Sequence, residues 1–114
     1  HLASFPGTTI DLLLGTERSA NAVGMVVSRK SDNSALLTAL NLNPLPNHKV
    51  YKVWLVRGDQ AYFAGEFSVD STGYGQTIIN IFGSPEEYDY MVITIEVSGG
   101  DAELLGESVL KGDL

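Results

Sequence analysis

Apolar and polar residues alternate along most of this chain, in short runs separated by Gly, Asn, Asp and Pro at spacings of about 8–12 residues, which predicts strands rather than helices. Thr8 to Leu14 sets Ile10, Leu12 and Leu14 on one face, and Ala22 to Arg29 sets Val23, Met25 and Val27 together. Each reads as a half-buried strand with that set on its buried side. Ser34 to Asn41 follows the polar turn Lys30-Ser31-Asp32-Asn33 and completes a hairpin over 22–41.

Two prolines in Asn43-Pro44-Leu45-Pro46-Asn47 cannot donate to a ladder, so this segment is a crossover loop. The next run, Lys49 to Arg57, carries Tyr51, Val53 and Leu55 on one face and Val50, Trp54 and Val56 on the other, the pattern of a central strand. Gly58-Asp59-Gln60 turns it into Ala61 to Val69, where Phe63, Phe67 and Val69 share a face opposite Tyr62, Glu66 and Ser68. Asp70-Ser71-Thr72-Gly73 offers Asx-turn chemistry leading into Tyr74 to Phe82 as a third hairpin. Tyr88 to Val97 points Met91, Ile93, Ile95 and Val97 inward, and Glu107 to Lys111 returns beside it as a short edge strand. Ser84-Pro85-Glu86-Glu87 allows at most one helical turn. The fold class that follows is all-β: a two-sheet antiparallel β-sandwich of about seven to nine strands, with Trp54, Phe63, Phe67, Ile93 and Ile95 in a shared core. The chain reads as one domain over 1–114, with residues 1–7 a linker or frayed end.

Composition narrows the function. The 114 residues are 44% hydrophobic and 18% charged, with 12 Gly, 4 Pro and 5 Tyr, which suits a turn-rich β protein. Leu12-Leu13-Leu14 is the longest Leu-rich run, far short of the roughly 20 residues of a membrane helix. No basic run is present to meet a nucleic acid backbone, so nucleic acid is not an expected partner. The net charge of −7 is segregated: six basic against three acidic residues in 1–58, one Lys against eleven carboxylates in 59–114. That asymmetry suits either a solvated surface or an acidic face for a basic partner. The absence of Cys excludes a disulfide scaffold and a thiolate metal site while leaving the compartment open.

Catalytic material is scarce. No Gly-x-Ser-x-Gly elbow occurs, and the two histidines are His1 at the chain start and His48 in a turn, so neither a triad nor a zinc site is expected. The paired carboxylates Glu86/Glu87 and Asp101/Glu103 lie in turns and read as solvated. No catalytic residue, cofactor or metal is therefore expected. Trp54 reads as core. Tyr88 and Tyr90 read as a surface aromatic pair, which with Glu86 and Glu87 forms the candidate interaction surface.

Tyr51-Lys52-Val53-Trp54-Leu55, after the loop Leu42-Asn43-Pro44-Leu45-Pro46, resembles the C-terminal domain of RskA-like anti-sigma-K factors. Ala64-Gly65-Glu66-Phe67 with Asp70 and Gly73 is similar to that family's Ala-Gly-x-Phe hairpin, and Val92-Ile93-Thr94-Ile95-Glu96 followed by Gly99-Gly100 to its Val-x-Thr-x-Glu segment. The likeness spans about residues 36–112. Two departures touch the last loop: Val97 stands where the family usually has Pro, and Leu104-Leu105-Gly106 where it usually has Pro-Thr-Gly. The resemblance implies structural roles for Tyr51, Trp54, Leu55, Gly65, Phe67, Thr94, Glu96, Gly99 and Gly100. It also implies an extracytoplasmic β-sandwich joined to a single transmembrane helix and to a cytoplasmic segment that holds an extracytoplasmic-function sigma factor inactive, neither of which this chain contains. A signal-receiving domain that binds a protein or envelope component is the expected function, with a carbohydrate-binding module on exposed tyrosines as the alternative. Glu96 is expected to accept hydrogen bonds from loop backbone or to pair with a base such as Arg57.

Overall fold

The computed structural model describes residues 3–29, 32–100 and 106–114. Among them are nine strands: β1 Ala3–Phe5, β2 Thr8–Gly15, β3 Val23–Arg29, β4 Ser34–Leu40, β5 Lys49–Arg57, β6 Gln60–Phe67, β7 Gly75–Asn80, β8 Tyr90–Val97 and β9 Ser108–Asp113. Single 3₁₀ turns at Glu17–Ser19 and Pro85–Glu87 are the helical content of these residues. The fold is all-β and antiparallel throughout, as the alternation predicts. β1 belongs to the segment expected as a linker. It folds back on β2 through Pro6, whose ring presets φ, and Gly7, which takes the positive φ of +80° that a type II turn requires.

One expectation changes in kind: the strands make one continuous sheet, in the order β6-β5-β8-β9-β2-β3-β4-β7 with β1 beside β2, instead of two separate sheets. The sheet rolls until its two end strands, β6 and β7, lie against each other, giving a nearly closed barrel. β9 is the reason. It is not an edge strand but lies between β8 and β2, pairing Leu110 and Lys111 with Gly15 and Leu14. Thr16 extends this seam by donating its N–H to Val109 O and its hydroxyl to Ser108 O. The third hairpin is also revised, because β7 pairs with β4 over Ser34–Leu36 and onward, not with β6. β6 and β7 approach through glycines: a Cβ on Gly65 would stand 3.2 Å from Ile79 Cγ2, and one on Gly75 2.9 Å from the Phe67 ring.

The interior holds Leu13, Val26, Leu37, Tyr51, Val53, Leu55, Phe67, Ile79, Met91, Ile93 and Leu110, with Ile95 packed against them. β5 is central as predicted, its Tyr51, Val53 and Leu55 facing this core and its Trp54 and Val56 facing outward. The five-residue core expected from sequence divides. Phe67, Ile93 and Ile95 are in the main core, Trp54 is buried in a second cluster with Val56 and Val92 on the outer face, and Phe63 is 38% exposed. A β-bulge explains Phe63: Val53 pairs with Gly65 but Trp54 with Phe63, so Ala64 is the extra residue and the in/out parity of β6 flips there.

Parity is reversed on β2 and β3. The inward residues are Thr9, Asp11 and Leu13 on β2 and Gly24, Val26 and Ser28 on β3, while Ile10, Leu12, Leu14, Val23, Met25 and Val27 face out. The more apolar set of each strand is thus on the outside of the barrel.

Candidate functional site

The motif residues on the outer face of β5 and β8 form one hydrogen-bonded chain. Trp54 Nε1 donates to Thr94 Oγ1 at 2.9 Å, and Thr94 Oγ1 donates to Glu96 Oε2 at 2.5 Å. The Gly106 backbone N–H donates to the same carboxylate oxygen at 2.9 Å. Thr94 is fully buried, and Trp54 and Glu96 nearly so. The order arises from strand geometry: Trp54 and Lys52 stand opposite Val92 and Thr94, and alternate residues of β8 place Thr94 and Glu96 on one face. Glu96 therefore takes a loop-backbone partner, the first of the two expected. Arg57 stands elsewhere, its guanidinium 5.6 Å from the ring centres of both Tyr62 and Tyr88. Its hydrogen bond to the Tyr62 hydroxyl raises its pKa further above the usual Arg value.

Lys52 is the residue of this cluster that alternation alone did not single out. It is buried to 3% exposure with its ammonium 5.6 Å from the Phe63 ring centre, and Phe63 in turn meets Trp54 edge-on at 5.7 Å. A charged residue inside a run apolar on both faces was the available signal. The bulge that turns Phe63 outward supplies its aromatic partner.

The other motif residues act inside the barrel and at its turns. Tyr51 stacks on Phe67 at 5.5 Å and donates its hydroxyl to Asn43 O, tying the proline loop to the core. Burial pushes the Tyr51 phenol pKa up, against the opposing pull of Arg18. Leu55 is core, Gly65 lets β6 approach β7, and Gly99 and Gly100 turn the chain after β8, Gly100 N–H donating to Val97 O.

Glu86, Glu87, Tyr88 and Tyr90 do not make one surface. Tyr88 is buried, donates its hydroxyl to Phe82 O and meets Tyr62 edge-on, because it lies before β8, where strand alternation does not govern it. Tyr90 is half-buried beside Trp54 and Val92, with the Lys111 ammonium 4.2 Å from its ring centre. Glu87 closes a capping box by accepting from Ser84 N–H at 2.6 Å, and Glu86 is exposed. The pair Asp101/Glu103 lies outside the described residues.

Much of the acidic half is used within the fold. Asp70 Oδ1 accepts from Thr72 N–H, Thr72 Oγ1 and Tyr74 N–H, which hold its carboxyl below its ordinary pKa of 3.8, the Thr72 hydroxyl contributing most. Asp89 caps Gly58 N–H at 2.7 Å, and Glu107 pairs with Arg18 at 2.5 Å on the surface. Among the described residues no group of three His, Cys, Asp or Glu could hold a metal ion, and no helix is long and apolar enough to cross a membrane.

Against known proteins, the anti-sigma-K factor RskA C-terminal family matches residues 3–105. A Streptomyces griseus protein, called an uncharacterized protein in the phr 5′ region, is 29% identical over 94 residues. That alignment covers 82% of this chain but 38% of the Streptomyces protein, so the chain spans well under half the length of that relative. No solved structure matches the chain significantly. The family match takes in the Trp54–Thr94–Glu96 chain, the Tyr51 anchor and the Gly65 approach, and on it this chain belongs to the family of anti-sigma-K factor RskA C-terminal domains.

Proposed function

We propose that this chain is the extracytoplasmic regulatory part of a membrane-anchored anti-sigma factor. It receives a signal by binding a protein or an envelope component, and the sigma factor is held by a cytoplasmic segment outside the chain. The observation that carries this reading is the family match over residues 3–105. The relative of which the alignment covers only 38% leaves length for an anchor and a sigma-binding segment in a protein of that kind. The site geometry supports a binding role: the motif residues are spent on holding strands and the last loop together. Asp59, Glu66 and Glu86 stay exposed, so a basic partner is favoured and its affinity falls as salt screens exposed charge over about 8 Å.

A fusion of alkaline phosphatase after Leu114 in the full-length protein tests the location, because that enzyme needs disulfides that form outside the cytoplasm. The expected result is an active fusion, together with capture of a sigma factor by the full-length protein and not by the 114-residue chain. An inactive fusion, or capture of the sigma factor by this chain alone, would count against the reading.

A further inference from the structure

The outer face of β2, β3, β4 and β7 is apolar and uncovered. Cross-strand register builds it in rows: Ile10, Val27, Leu36 and Ile78 lie side by side, as do Leu14, Val23 and Leu40. Between them runs Leu12, Met25, Thr38 and Gln76, so no charged residue interrupts the middle of the face. Ile78 is 70% exposed, Leu14 59%, Leu40 44% and Met25 42%. Phe5, beside Thr8 on the same face, is 60% exposed.

We infer that this face is the contact between two copies of the chain, packed sheet on sheet about a two-fold axis. A strand's register is set by which of its faces is buried, and on β2 and β3 the inward sets contain Thr9, Asp11 and Ser28 while the outward sets carry Ile10, Leu12, Leu14, Val23, Met25 and Val27, with Thr8 and Arg29 paired at one end. Such strands are built for a covered outer face.

Phe5, Leu14, Met25, Leu36, Leu40 and Ile78, 39–70% exposed, together present about 600 Å² of surface, the upper end of the range for the largest patch on a monomer. Two copies face to face remove at most about 1,200 Å² of this surface, where specific interfaces begin. A contact this apolar has the composition of a homodimer interface rather than a transient one, and two-fold pairs are the commonest closed assemblies. Charge does not oppose it. Each copy carries −7, but the rim holds Arg29 with Asp32 at one end and Lys111 with Asp113 at the other, so two copies do not meet with a single sign. This inference stands apart from the anti-sigma reading.

Sedimentation velocity on the 114-residue chain over about 1–100 µM tests it, with circular dichroism as a fold check. The expected species has twice the 12.3 kDa of one chain. Met25→Lys and Leu36→Lys, whose side chains point away from the barrel interior, should each weaken association at least 100-fold with the strand spectrum unchanged. Gln60→Lys, on the end strand β6, should leave the dimer intact. A monomer at 100 µM overturns the inference, as does a dimer that survives both face substitutions. A monomer that binds phosphatidylglycerol vesicles, and loses that binding in Met25→Lys, overturns it in favour of a lipid surface.

Discussion

Replacing Thr94 with Val removes one hydroxyl and almost no volume from the middle of the outer-face chain. The Trp54 indole N–H loses its 2.9 Å acceptor and the Glu96 carboxylate loses its 2.5 Å donor, while the Gly106 N–H remains. A hydrogen bond to a charged group contributes about 1.5–3 kcal/mol, and a stranded buried donor costs about 1–3 kcal/mol, partly offset because no hydroxyl then needs burying. The expected loss is roughly 2–4 kcal/mol of a total of about 5–15 kcal/mol. For a chain of this length that lowers Tm by roughly 8–16 °C. Urea unfolding followed by circular dichroism and by the fluorescence of Trp54, the sole tryptophan, measures it. Thr94→Ser is the control: it keeps the hydroxyl, removes one methyl and should cost about 1 kcal/mol. If Val costs no more than Ser, the hydrogen-bonded chain contributes nothing and the reasoning fails.

Phe67→Ala should cost about 3–5 kcal/mol and Phe63→Ala only about 1–2 kcal/mol, since the bulge puts the first ring in the core and the second half in solvent. Equal losses in chemical denaturation would mean the bulge is absent. Asp70 has a depressed folded pKa, so the stability it contributes is complete above its ordinary value of 3.8 and is lost as pH falls below that value and through the folded pKa. Asp70→Asn should therefore flatten the acid side of a Tm-against-pH curve below about pH 4, and an unchanged acid limb would contradict it.

Alternation located most of the strands because a period of two survives any arrangement of neighbours, and β5 announced its central place by being apolar on both faces. What alternation cannot carry is which side faces in. On β2 and β3 the larger apolar set points outward, and inward burial of Asp11 and Ser28 has no counterpart in a hydrophobicity pattern. Phe63 was misplaced because one extra residue, Ala64, resets parity within a strand. β9 reads in the sequence as a short edge strand over Glu107 to Lys111, yet Gly112, just past that range, is what lets it approach β2: a Cβ there would stand 2.3 Å from Leu12 O. The Tyr51, Trp54, Thr94 and Glu96 set was legible as a motif. That three of these share one hydrogen-bonded chain depends on the β5–β8 register, which pairs residues about 40 positions apart.

The central claim is the proposal that this domain, which holds no sigma-binding segment in the proposed arrangement, regulates the sigma factor held elsewhere in the full-length protein. A sigma-dependent transcriptional reporter, in cells whose full-length protein carries Thr94→Ser, Thr94→Val or Thr94→Val with Phe67→Ala, tests it directly once initial protein levels are matched. On the proposed function, reporter output should climb in the order of the stability lost by the purified domains. Flat output across a series whose purified domains lose stability as expected would contradict the account.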